Sequence, residues 1–134
     1  MKKLRERLTE VAAGLGVRLF GVADLETLGR TEPGLFDELG RSFPRAIALG
    51  VRLSDTVLEG ISDRPTPLYF HLYRQANYQL DRAGFQIALE LQEAGFAAVA
   101  VPASQVIGES PMRGHISHRE IAWAAGLGWR GRNN

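Results

Sequence analysis

Apolar side chains recur along this chain with two different periods, and the periods divide it into elements. Leu4, Leu8, Val11, Ala12 and Leu15 are spaced by three and four, the repeat that gathers side chains on one face of a helix. Gly14 and Gly16 supply its stop. Val17 to Ala23 is short, apolar and glycine-containing, and reads as a buried strand. From Arg45 to Leu53 the large Ile47, Leu49, Val51 and Leu53 alternate with Ala46, Ala48, Gly50 and Arg52. That is the period of a strand with one bulky face and one small face. A face of alanine and glycine accepts either a helix or a ligand at close range.

The longest helix starts at Thr66-Pro67. Thr66 suits the N-cap, and Pro67 suits the first helical position, where a missing N–H costs nothing. Leu68, Leu72, Ala76, Leu80, Ala83, Ile87 and Leu91 keep one face apolar to Glu93. Gly84 weakens this helix by roughly 1 kcal/mol relative to alanine, and Gly95 ends it. Ala97 to Val101 reads as a third strand, closed by Pro102. Ser117 and Glu120 have the spacing of a capping box for a last helix, which Gly126 or Gly128 would close. The intervening stretches read as loops: Asp24 to Ser42 with a short helix at Leu35–Leu39, Ser54 to Thr66, and Ala103 to Ile116.

The order helix, strand, strand, long helix, strand, helix predicts one α/β (α+β) domain over residues 1–134, a small mixed sheet packed by helices. Three short strands make a thin sheet, expected to be completed by another chain or a further segment. The 134 residues suffice for one core, and 45% hydrophobic with 23% charged residues is ordinary globular composition. A net charge of +1 gives no overall case for nucleic acid or membrane. The absence of cysteine rules out disulfides and any cluster held by this chain's own thiolates. With no apolar leader and no run of about 20 apolar residues, a cytoplasmic protein is expected.

Three groups of residues could carry chemistry. Tyr69, Phe70, His71, Tyr73, Arg74, Gln75, Asn77 and Tyr78 crowd the start of the long helix. Tyr69 shares a face with Tyr73, His71 with Gln75, and Arg74 with Tyr78; the cluster reads as rim packing or as a ligand-facing surface. The loop Pro102–Pro111 follows the carboxyl end of a predicted strand, where ligands sit in open parallel sheets. There Ser104 and Gln105 suit hydrogen bonds to a cofactor's amide or phosphate groups, unless the segment is a plain surface loop. His115 and His118 lie three apart without a third ligand of obvious spacing, so no protein-ligated metal is expected. With Arg113, Arg119, Arg130 and Arg132 they form a basic patch that suits an anion such as phosphate. No P-loop, dinucleotide fingerprint, zinc-protease motif or nucleophile elbow is present.

Ala124 to Asn133, reading Ala-Ala-Gly-Leu-Gly-Trp-Arg-Gly-Arg-Asn, resembles the A-G-L-G-W-x-G-[KR]-[NH] signature of the epoxyqueuosine reductase-like iron–sulfur proteins. Phe43 to Gly50 is similar to that family's early strand entry, and Tyr69 to Tyr78 to its long helix. The resemblance implies a fold related to flavin nitroreductases and cobalamin-processing proteins, with a corrinoid (cobalamin) over the sheet. Tyr69, His71, Tyr73, Ser104, Gln105, His115 and His118 would lie nearest to it. It also implies a cysteine-rich [4Fe-4S] domain beyond Asn134, so this chain is expected to be the N-terminal, catalytically incomplete part of a longer oxidoreductase. The family's acidic run would put an aspartate at Met112 and a glutamate at His118. Their replacement removes the implied proton donor and places the chain outside the tRNA-modifying branch. The expected partners are therefore an iron–sulfur domain or a second copy of the chain, with neither tRNA nor membrane. Two other readings stand beside this one: a cofactor-free homodimeric interaction module, and a flavin-binding nitroreductase-like domain.

Overall fold

A computed structural model describes residues 2–28, 39–40, 43–103, 108–109, 112–113, 121–123 and 125–127, with backbone alone at 27–28, 108–109 and 112–113. The chain is α+β and divides into two compact units, Met1–Arg18 with Gly50–Ala100 and Leu19–Leu49 with Val101–Asn134. Among the described residues no helix is long and apolar enough to cross a membrane.

The first unit is built on two helices, α1 (Lys2–Gly14) and the long helix Pro67–Glu93, which spans about 40 Å at 1.5 Å per residue. They run antiparallel. Arg7, early in α1, pairs with Glu90, late in the long helix, at 3.1 Å, while the Leu15 carbonyl accepts from Gln79 Nε2. The hydrogen bond to Glu90 also pushes the Arg7 pKa up. The core is Leu8, Ala12 and Val17 with Ala83 and Ile87, all buried. Ala12 and Ala83 are shielded almost completely, and side chains that small let two helix backbones approach closely.

Both helices end in the same way. Past α1, Gly16 has φ +82°, Gly16 N–H donates to Ala13 O and Val17 N–H donates to Ala12 O. Past the long helix, Gly95 has φ +94°, Gly95 N–H donates to Gln92 O and Phe96 N–H donates to Leu91 O. This is the Schellman motif, in which a left-handed glycine satisfies the last orphan carbonyls and turns the chain sharply out of the helix. The expected stops at Gly16 and Gly95 therefore hold, for a local reason.

The strands depart from expectation more than the helices do. In the second unit, β1 (Leu19–Asp24) pairs with β2 (Arg45–Gly50). Leu25 N–H donates to Pro44 O at one end, and Arg18 N–H to Gly50 O at the other. The end of one strand thus meets the start of the other, an antiparallel arrangement. β1 starts two residues later than predicted because Val17 is still occupied in the helix cap. β2 stops at Gly50 instead of Leu53 because its partner runs out at Arg18. Ala46 to Gly50 are all half-buried, so neither its bulky nor its small face is fully covered.

Two short helices occupy predicted loops. The first, α2 (Leu25–Leu28), follows Asp24, whose Oδ1 accepts from Glu26 N–H. The second, α3 (Asp55–Glu59), is capped by Ser54, whose hydroxyl accepts from Val57 N–H, and lies against the long helix, here α4. The expected helix at Leu35–Leu39 lies outside the described residues except for Leu39. Within the stretch expected to be irregular, β3 (Gly108–Glu109) and β4 (Met112–Arg113) form a two-residue antiparallel ladder. The predicted third strand, Ala97–Val101, joins no ladder among the described residues. These therefore contain two two-stranded sheets instead of one sheet of three or more strands.

Gly84 sits inside α4 with room to spare: a Cβ there would meet only Ala100 Cβ, at 3.8 Å, an ordinary contact. Gly84→Ala should therefore stabilise the protein by about 1 kcal/mol through backbone entropy, read as a higher urea midpoint with an unchanged slope. A lower midpoint would show that the helix needs the gap.

Candidate functional site

The first turn of α4 holds the aromatic residues that the sequence puts forward. Thr66 is extended (φ −92°, ψ 163°), and its hydroxyl accepts from Tyr69 N–H at 3.1 Å, with Pro67 opening the helix. The cap thus acts at the residue that carries the central ring of the cluster. Tyr69 is half-buried. Its ring meets Phe70 edge-on at 6.1 Å between centroids, and Tyr73 in a tilted arrangement at 6.4 Å. Phe70 and Tyr73 are themselves exposed, as is neighbouring Leu68. One turn of helix therefore presents an aromatic surface anchored by a half-buried tyrosine, with phenol hydroxyls that can donate or accept.

The expected sharing of a face by Tyr69 and Tyr73 holds. His71 does not join them: two residues along a helix is about 200° around its axis. It is exposed, on a different side of the helix from the two tyrosines. Tyr78, further along α4, is also exposed. Ser104, Gln105, His115 and His118 lie outside the described residues, as do Arg119, Arg130 and Arg132. Among the described residues no group of three or more histidines, aspartates and glutamates is placed to hold a metal ion.

The glycine-tryptophan segment is described only at its start. Residues 121–123 are helical, and the turn that follows is a third Schellman motif. Gly126 has φ +80°; its N–H donates to Trp123 O, and Leu127 N–H donates to Ala122 O, both at 3.0 Å. Of the two glycines expected to close this helix, Gly126 does so. Ala125-Gly126-Leu127 is thus the counterpart of Ala94-Gly95-Phe96, a helix stop followed by an apolar residue. Ile121, at the start of the helical residues, is buried.

This turn lies on β1 at a position that sequence reading passes over. A Cβ on Gly21 would stand 2.8 Å from the Ala125 carbonyl oxygen, 2.9 Å from Ala125 Cβ and 2.9 Å from Leu127 Cδ2. One of those atoms is backbone, so the clash has no easy relief. The available signal was a glycine inside an otherwise apolar strand, which marks either a bulge or a close approach of another backbone. Here it marks the close approach.

The chain was compared with protein-family models, curated proteins and solved structures, and none matches.

Two outcomes follow. Gly21→Ala should destabilise the protein by about 1–3 kcal/mol through overpacking, whereas Gly14→Ala, with nothing within 4 Å of its added Cβ, should not. Equal effects in thermal denaturation would remove the contact argument. Thr66→Ala should cost about 1 kcal/mol, and Thr66→Ser should keep most of it; a Thr66→Ser variant as unstable as Thr66→Ala would show that the cap hydroxyl is not the cause.

Proposed function

We propose that this chain is a corrinoid-binding-like domain of a redox protein related to the epoxyqueuosine reductase-like iron–sulfur proteins, with a nitroreductase-like ancestry for its α+β fold. The sequence resemblance supplies the family. The observation that carries the binding reading is the aromatic surface at the start of α4, where Tyr69 is held by Thr66 and flanked by exposed Phe70 and Tyr73. An apolar surface with hydroxyls at its edge suits the face of a broad macrocycle rimmed by amide side chains. The reading as a cofactor-free module leaves these aromatics exposed without a use.

The fit is to a corrin and not to an iron–sulfur cluster, because the chain contains no cysteine and thiolates are the usual cluster ligands. A bound corrinoid would supply the electron-transfer chemistry of its metal. The residues of this chain would hold and orient it: Tyr69 and Tyr73 through ring contact and hydroxyl hydrogen bonds, Phe70 by excluding water.

Hydroxocobalamin added to the purified chain should undergo a change in its visible spectrum and co-elute with the protein on gel filtration. Phe70→Ala and Tyr73→Ala, both at exposed positions, should weaken retention by about tenfold each, equivalent to about 1.4 kcal/mol. An unchanged spectrum and free elution at micromolar protein would overturn the reading. A yellow protein with a flavin spectrum would replace the corrinoid by the flavin alternative.

A further inference from the structure

We propose, resting on the corrinoid reading for the ligand, that Thr66 is the positioning residue of the aromatic surface on α4. Retention of the ligand then depends on the Thr66 hydroxyl acting through Tyr69. The first N–H groups of a helix have no partner within it, and Pro67 brings no N–H at all. Thr66 takes the N–H groups of the next two ring-bearing residues. Its hydroxyl oxygen accepts from Tyr69 N–H at 3.1 Å, and its carbonyl oxygen accepts from Phe70 N–H at 3.2 Å. Tyr69 is in turn the ring that both others meet, Phe70 at 6.1 Å and Tyr73 at 6.4 Å between centroids. The rings therefore share one anchor, and the N–H of that anchor is held by one hydroxyl.

Pro67 prepares Thr66 for this task. Proline keeps the residue before it out of the helical region, and Thr66 is extended, at φ −92° and ψ 163°. From that conformation an N-cap side chain reaches the N–H of the third helical residue, which here is Tyr69. Opening at a helix end costs little compared with unfolding the whole unit, so the closed population of this turn is sensitive to its cap. When the turn opens, Phe70 and Tyr73 lose the ring they pack against. A ligand that needs the assembled rings then binds with an affinity lowered by the closed fraction. A backbone hydrogen bond thus sets how much of the surface is ready.

Thr66→Ala should weaken hydroxocobalamin retention by about two- to fivefold and speed amide exchange at Tyr69 and Phe70 by a similar factor. Thr66→Ser should restore both. Gln79→Ala separates positioning from general stability, because it removes the hydrogen bond to the Leu15 carbonyl further along α4. It should lower the thermal midpoint while leaving retention, and exchange at Tyr69, as in the wild type. Retention in Thr66→Ala equal to that of the wild type, or a loss matched by Gln79→Ala, would overturn the proposal. If the wild type itself retains no cobalamin, the corrinoid reading fails, and exchange together with the near-UV signal of the tyrosines decides the positioning. Faster exchange and a weaker signal in Thr66→Ala, absent in Gln79→Ala, uphold it; no difference between the variants overturns it.

Discussion

The constraint on which this structure most depends is the reversal at the end of a helix. At Gly16, Gly95 and Gly126 the chain adopts a left-handed backbone, closes the last carbonyls with two hydrogen bonds, and leaves along a new direction led by Val17, Phe96 or Leu127. A side chain at such a residue costs about 1–2 kcal/mol, so glycine there is a condition of the path. The first reversal delivers the chain from α1 to β1, and the second takes it from α4 back over Gly84. The third brings Ala125 and Leu127 onto Gly21. Four glycines thus form two kinds of requirement: three supply conformations, and the fourth supplies space.

That division changes the meaning of the glycine-tryptophan segment. Its Ala-Gly-Leu portion stops a helix, as Ala94-Gly95-Phe96 does elsewhere, and seats on a strand at Gly21; both kinds of work are geometric. A signature containing such a turn identifies a way of folding more directly than it identifies a reaction. The reaction, if inherited, would have to be carried by other residues. The implied acids upstream are Met112 and His118 in this chain, so the aromatic turn of α4 becomes the better place to look for binding.

What was legible in the sequence follows the range of the interactions involved. The long helix, its Thr66 cap, its Pro67 and its Gly95 stop could all be read because each is settled within about four residues. The bounds of β1 and β2 could not, because a strand ends where its partner ends, and Arg18 lies far along the chain from Gly50. The strand expected at Ala97–Val101 could be read only as a short apolar run, and pairing is not a property of the letters. The short helices after Asp24 and Ser54 were missed for another reason: five residues or fewer give no period, and only the capping side chain announces them. Gly21 was visible as a glycine, but not the carbonyl that approaches it.

The aromatic turn at the start of α4 rests on the same local logic as the reversals. The Thr66 hydroxyl accepts from Tyr69 N–H at 3.1 Å, and the rings of Phe70 and Tyr73 stand 6.1 Å and 6.4 Å from that of Tyr69. One cap hydroxyl thus fixes the backbone of the turn whose central ring two exposed rings are packed against. Exposed rings gain by covering apolar area, so a turn held in this way presents its apolar surface already ordered, and a partner that covers it does not have to order it.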